Sequence, residues 1–120
     1  MGTRSTLAFK EDNKILVKLY VQYDGYPDGY MKEVAKFISS KKLVNGISPG
    51  QEKEVFNGFG CLAAQVISYL KNGTAGGYYI TTLDDFQEYN YEIELENGII
   101  KIKEKNEAIN LTPKEYLKNF

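Results

Sequence analysis

Apolar and polar side chains alternate with period two near the start of the chain. In residues 14–23, one face of an extended strand would carry Ile15, Val17, Leu19, Val21 and Tyr23. This period predicts a β-strand. The polar segment Glu11-Asp12-Asn13 separates it from residues 3–10, so we predict that the two segments form a hairpin.

Helical spacing of apolar residues replaces this alternation in the middle of the chain. Residues 29–42 carry the pattern Tyr30, Val34, Phe37, Ile38 and Lys41, and Asp28 is the predicted N-cap. A second helix is predicted to start at Ser48-Pro49-Gly50-Gln51 and to end at Asn72-Gly73. Its apolar face is Val55, Phe59, Leu62, Ala63, Val66, Ile67 and Leu70.

Two glycines interrupt this second helix. Gly58 and Gly60 each cost about 1 kcal/mol of helix propensity relative to alanine. They indicate either a break near Asn57 or a place where another backbone comes close.

The last third of the chain contains the clearest local signals. Residues 77–82 are a predicted strand, residues 83–90 are predicted to be irregular, and Asn97-Gly98 predicts a type I′ hairpin turn within residues 91–105. The register that follows pairs Glu96 with Ile99, Leu95 with Ile100, Glu94 with Lys101, Ile93 with Ile102, and Glu92 with Lys103. The apolar face should pack inward and the charged face should meet water. Thr112, Pro113 and Glu115 predict a capped helix over 113–119.

These elements follow the order ββ-α-α-βββ-α, which indicates an α+β fold. We expect an antiparallel sheet, built from two or more hairpins and packed against two main helices. The 120 residues are predicted to form a single domain, 1–120.

Composition narrows the range of functions. The net charge is −1, and the lysines are balanced by acidic residues, so a duplex nucleic-acid binder is not expected. Arg4 is the single arginine and Cys61 the single cysteine, which rules out a disulfide within the chain. Cys61 is expected to be a small buried side chain. No apolar run approaches the ~20 residues of a membrane span, so we predict a cytoplasmic protein.

The side chains that carry most enzyme chemistry are scarce. Histidine is absent, which removes catalytic triads and histidine-based zinc sites. The carboxylates Asp24 with Asp28, and Asp84-Asp85 with Glu88, match no metal-binding loop in spacing. We therefore expect no catalytic residue, no metal and no cofactor, and a protein that is not an enzyme.

One segment stands apart from the predicted helices and strands. Residues 20–30 contain four tyrosines, two aspartates, two glycines and a proline. Tyrosine has a large apolar ring and a polar tip, and it is enriched at binding surfaces. The segment is either a contact surface or a packed turn whose tyrosines lie beneath the loop, and a rigid turn can be both.

Several motifs resemble a family of small uncharacterised proteins encoded by phages, prophages and bacteria. They are Met1-Gly2-Thr3-Arg4 and Tyr23-Asp24-Gly25-Tyr26-Pro27, with Leu43-Val44-Asn45-Gly46-Ile47 and Gly60-Cys61-Leu62-Ala63-Ala64-Gln65 as further matching segments. The resemblance covers most of the first eighty residues and implies a mobile-element context. Small proteins in that context often act on host defences by sequestration or occlusion.

These observations predict a non-enzymatic binding protein that acts on a host protein, such as a defence effector, in the bacterial cytoplasm. The predicted binding residues are Arg4, Tyr23, Asp24, Tyr26 and Tyr30. The alternative is a protein that sequesters a nucleotide or a nucleotide-derived signal, with tyrosines on the base and Arg4 with the amides near Gly76 and Gly77 on phosphate. The oligomeric state stays open, and a homodimer is one option.

Overall fold

The computed structural model describes residues 3–82 and 87–120. In chain order the elements are β1 (Ser5–Glu11), β2 (Lys14–Val21), α1 (Tyr30–Ser39), β3 (Lys42–Val44), β4 (Val55–Asn57), α2 (Phe59–Lys71), β5 (Tyr78–Ile80), β6 (Tyr89–Glu96), β7 (Ile99–Glu104), β8 (Ile109–Leu111) and α3 (Pro113–Asn119). None of the helices in these two ranges has the length and apolar content needed to cross a bilayer.

Six strands form one sheet in the order β5-β2-β1-β6-β7-β8. All neighbours are antiparallel except β1 and β6, which run parallel with Ser5 beside Tyr89 and Leu7 beside Tyr91. The α+β class is therefore confirmed, but the sheet is mixed rather than wholly antiparallel. The prediction missed β8 and the small parallel pair of β3 and β4, because each of these strands has only three residues, too few for a period-two pattern to show.

The second hairpin forms in the predicted register, from Glu96 opposite Ile99 to Glu92 opposite Lys103. Asn97 and Gly98 both have positive φ, as a type I′ turn requires. The expectation that the charged face meets water is wrong for Glu94. Its side chain is buried and forms an ion pair with Lys103.

The first hairpin departs from the predicted alternation at a β-bulge. Phe9 pairs with Val17 and Lys10 pairs with Ile15, which leaves Leu16 as an extra residue in β2. The extra residue interrupts the period-two alternation, so Ile15, which precedes it, and Val17, which follows it, lie on opposite faces of the sheet. Ile15 is consequently exposed, whereas Leu19 and Val21 are buried as predicted. The strand ends at Val21, so Tyr23 lies in the following loop.

The second helix begins ten residues later than the predicted N1 position, Pro49. Its N-cap is Gly58, whose φ of 90° suits glycine, and the preceding Val55 and Phe56 belong to β4 instead. Ser48 and Gln51 do bond to each other, but they close only an isolated turn. Gly58 and Gly60 therefore mark a break near Asn57, as one of the two alternatives predicted. They do not mark a close approach of another backbone, since a Cβ at either glycine would meet nothing within 4 Å.

One hydrophobic core lies between the helices and one face of the large sheet. The fully buried sheet residues include Leu7, Phe9, Ile93 and Ile102, and the helices contribute Met31, Val34, Leu62, Val66 and Tyr116. The predicted third helix is confirmed with its bounds and with its capping box at Thr112 and Glu115. Cys61 is only half-buried, contrary to the expectation.

The remaining expectations concern residues 77–90 and the start of the chain. The predicted strand over 77–82 is confirmed for Tyr78–Ile80. Tyr89 and Asn90, predicted to be irregular, belong to β6. The Asp84-Asp85 pair and the Met1-Gly2 motif lie outside the described residues.

The break before α2 predicts opposite effects for its two glycines. Gly58→Ala should lower the free energy of unfolding by about 1–2 kcal/mol, because alanine is strained at positive φ. Gly60→Ala lies inside the helix with space for a Cβ and should raise it by roughly 0.5–1 kcal/mol. Urea unfolding measures both. Equal destabilisation by the two variants would contradict the helix start at Phe59.

Candidate functional site

The segment predicted as a contact surface forms a tight loop between β2 and α1. We call residues 22–29 the tyrosine loop. Its backbone folds back on itself, since the Tyr30 N–H donates to the Asp24 carbonyl over 3.1 Å and the Gly29 N–H donates to the Tyr26 carbonyl over 2.8 Å. The Gly25 N–H donates to the Thr3 carbonyl, just before β1, over 3.0 Å. The loop is thereby attached to the end of the sheet.

Buried tyrosines from distant parts of the chain hold the loop from below. The Tyr91 hydroxyl, from β6, donates to the Gly25 carbonyl over 2.6 Å, and the Tyr116 hydroxyl, from α3, donates to the Pro27 carbonyl. Both tyrosines are at most 1% exposed. A buried carbonyl without a partner is costly, so these two bonds favour one loop conformation over its alternatives.

The hydroxyls must keep their protons in order to donate. Burial raises the pKa of Tyr91 well above the ordinary tyrosine value, and the neighbouring Tyr116, Tyr30 and Glu104 add to this rise. Burial likewise raises the pKa of Tyr116, with a further contribution from Asp28. Both phenols therefore remain neutral donors throughout the physiological pH range.

Two glycines allow the loop to pack this closely. A Cβ on Gly29 would lie 2.1 Å from the Asp24 carbonyl oxygen, and one on Gly25 would lie 2.9 Å from the Thr3 carbonyl oxygen. The first contact is impossible for any other residue without moving the backbone. Gly29 is also the N-cap of α1, without a side-chain cap, so the prediction that Asp28 caps this helix is wrong.

The predicted binding residues separate into exposed and buried groups. Tyr23 is 54% exposed and Tyr26 is 42% exposed, and Asp24 beside them is also exposed. Tyr30 is buried, and its hydroxyl lies 3.0 Å from the Ser5 hydroxyl. Arg4 is exposed immediately before β1. The loop thus presents two phenol rings and a carboxylate, while Tyr30 lies beneath it.

Asp24 adopts an unusual backbone conformation for a residue with a side chain. Its φ is 59°, in the left-handed region that aspartate tolerates better than most residues. The Tyr26 hydroxyl donates to the Asp24 carboxylate over 3.4 Å. This conformation places the carboxylate and the Tyr26 ring side by side on the outer surface of the loop.

A cleft of about 940 Å³ opens between the tyrosine loop and the C-terminal end of α2. We call it the loop cleft. Three carboxylates, those of Asp24, Asp28 and Glu33, line it together with one lysine, Lys32. Tyr26 and Tyr30 line it from the loop side. The lining is therefore aromatic and predominantly acidic.

Two tyrosines that the sequence pattern did not single out lie on the other wall of the loop cleft. Tyr69, from α2, is half-exposed and stacks on Phe37, with ring centroids 4.6 Å apart. Tyr78, from β5, has a pKa raised by burial and by the nearby Asp24 carboxylate. The only signal for Tyr69 in the sequence was its position outside the apolar face of the predicted second helix. Which part of the molecule lies next to that end of the helix is set by tertiary packing.

The geometry of the site suits contact better than metal binding. Within residues 3–82 and 87–120, no three residues of the types histidine, cysteine, aspartate and glutamate are grouped so that they could hold a metal ion. Aromatic rings beside carboxylates can recognise cationic and hydrogen-bonding groups on a partner.

Comparison with family models, with curated proteins and with solved structures yields no match for this chain. The resemblance to small phage and prophage proteins therefore stays a prediction from the motifs.

Removing one supporting hydroxyl should weaken the whole fold. Tyr91→Phe leaves the buried Gly25 carbonyl without its donor, and we expect the free energy of unfolding to fall by about 1–3 kcal/mol. Tyr79→Phe is the matched control, because Tyr79 is 45% exposed, and it should change stability by less than about 0.5 kcal/mol. Urea unfolding compares the two, and equal effects would show that the buried bond does not stabilise the loop.

Proposed function

We propose that the protein is a non-enzymatic binding protein, and that the tyrosine loop with the loop cleft is its contact surface. The observation that carries this proposal is the combination of two exposed tyrosines with a loop backbone tied to the core. Tyr23 and Tyr26 project from a segment that Tyr91 and Tyr116 hold in place. A loop that only connected two elements would not need exposed aromatic rings on such a support.

Rigidity gives these tyrosines a thermodynamic advantage. Ordering a mobile loop on binding costs free energy, and a loop already held in its bound conformation avoids much of that cost. Tyrosine adds a large contact area with only two side-chain torsions to fix.

The proposed partner is a host protein such as a defence effector, which the small protein would occlude. The support for this part is the resemblance of the Met1-Gly2-Thr3-Arg4 and Tyr23–Pro27 motifs to phage and prophage proteins. Tyr23 and Tyr26 would act as anchors, and Asp24 and Arg4 would orient the partner through their charges. Tyr30 would act from beneath, by supporting the loop and forming part of the cleft wall.

The test compares three baits in a bacterial lysate, followed by quantitative mass spectrometry. Tyr23→Ala/Tyr26→Ala should lose the captured partner and keep the unfolding midpoint, because both rings lie outside the core. Tyr79→Ala removes a tyrosine of similar exposure elsewhere on the surface and should retain the partner. Capture of the same protein by all three baits would remove the tyrosine loop from the proposal.

A nucleotide is the second candidate ligand, and the size of the loop cleft favours it. About 940 Å³ lies within the range of small-molecule sites. The charges argue against it, because phosphates would meet Asp24, Asp28 and Glu33, and Arg4 does not line the cleft. Protein contact is therefore the better-supported function.

Thermal unfolding with nucleotides distinguishes the two functions. We expect no rise in melting temperature with mononucleotides, dinucleotides or cyclic nucleotides at millimolar concentration, because the acidic lining repels phosphate. A ligand at 100 times its dissociation constant would add about 2.7 kcal/mol of stability, which such a measurement detects readily. A rise that Tyr26→Ala abolishes would establish the nucleotide function instead.

A further inference from the structure

A second groove, of about 630 Å³, lies beyond the other end of α1. The last turn of α1, strand β3, the β6–β7 turn and the start of α3 surround it. The loop cleft contains the first-turn residues Lys32 and Glu33, whereas this groove contains the last-turn residues Ile38 and Ser39. A ten-residue helix is roughly 15 Å long, so the two sites are separate surfaces.

Lysines dominate the charge of this groove. Lys41, Lys42 and Lys114 line it, and none of its described lining residues carries a carboxylate. Lys42 and Lys114 are exposed, while the Lys41 ammonium lies over the Phe37 ring at 5.0 Å from its centroid. We call it the lysine groove. The chain as a whole is nearly neutral, so the lysine groove is a local excess of positive charge at one end of α1, while the acidic loop cleft lies at the other end.

The floor of the lysine groove is apolar. Ile38, Leu43, Ile100 and Pro113 contribute to it, and Ile99 beside the tight Asn97-Gly98 turn is 52% exposed. A large aliphatic side chain with this exposure, next to other apolar residues, is a candidate contact point for a partner.

One polar atom at this groove has no explanation within the fold. The Ser39 hydroxyl is shielded from solvent, and it has no hydrogen-bond partner among the described residues. Buried polar atoms are nearly always paired with protein or with ordered water, so the Ser39 hydroxyl is an exception at the edge of the groove.

We propose that the lysine groove binds an acidic peptide segment of a partner protein that carries an apolar side chain. The apolar side chain contacts Ile99 and the floor, and the flanking carboxylates face Lys42 and Lys114. Charge complementarity selects this occupant, since the lining combines three cations with an aliphatic surface. The site is independent of the tyrosine loop and would allow the protein to contact a partner at two places.

The test uses a fluorescein-labelled decapeptide in which leucine and phenylalanine alternate with aspartate and glutamate, followed by fluorescence anisotropy. The double variant Lys42→Glu/Lys114→Glu should weaken binding by about tenfold or more, because it reverses the charge at the groove. The control Lys14→Glu/Lys105→Glu changes the net charge equally at exposed lysines that do not line the groove and should weaken binding by less than about threefold.

Two further variants keep the test decisive if the charge reversal perturbs folding. Ile99→Ser removes exposed apolar surface without a change in charge, and it should also weaken binding severalfold. Tyr23→Ala/Tyr26→Ala should leave the peptide affinity unchanged, so that failure at the tyrosine loop and failure at the lysine groove are separate results.

Several outcomes would overturn the proposal. Absence of binding up to about 1 mM peptide, or equal weakening by the two lysine variants, would leave no specific site. A wild-type dimer in sedimentation velocity that Lys42→Glu/Lys114→Glu dissociates would make a second copy of the chain the occupant. Binding to anionic lipid vesicles, without binding to the peptide, would assign the lysines to a membrane surface.

Discussion

The hydrogen bonds from Tyr91 and Tyr116 to the carbonyls of Gly25 and Pro27 are the interactions on which the proposed site depends. They join a strand, the last helix and a surface loop through buried phenols. Each phenol supplies both the apolar ring that fills the core and the donor that satisfies a loop carbonyl. Core packing and loop conformation are therefore one energetic unit, and a change in either will alter the other.

The parallel pairing of β1 with β6 makes this arrangement geometrically possible. It places Tyr91 beside Leu7, near the start of β1, and the loop is attached to Thr3 at that same end. The buried Glu104 lies opposite Tyr91 and accepts the Asn90 N–H over 2.7 Å. Its carboxylate is thus satisfied by the backbone, and its charge helps to keep the nearby phenol protonated.

Charge is distributed unevenly along α1, with the acidic loop cleft at its N-terminal end and the lysine groove at its C-terminal end. Part of this pattern has a local cause, since Glu33 in the first turn and Lys36 in the last turn complement the helix dipole. The dipole does not explain the contributions of Asp24, Asp28, Lys42 and Lys114, which come from outside the helix. Those side chains give the molecule two surfaces of opposite charge.

The sequence by itself determined the features that depend on neighbours in the chain. The Asn97-Gly98 turn with its register and the Thr112–Glu115 capping box were both predictable, because each is made by residues only a few positions apart. Tertiary structure alone decided the β1–β6 pairing, the bulge that exposes Ile15, the Tyr69 and Tyr78 wall, and the Tyr91 and Tyr116 hydrogen bonds. The residues of those two bonds are 66 and 89 positions apart, so no local pattern encodes them. The composition of residues 20–30 left a contact surface and a packed turn both open, and only packing could select which of its rings lie outside, since burial depends on the elements that fold beneath the loop.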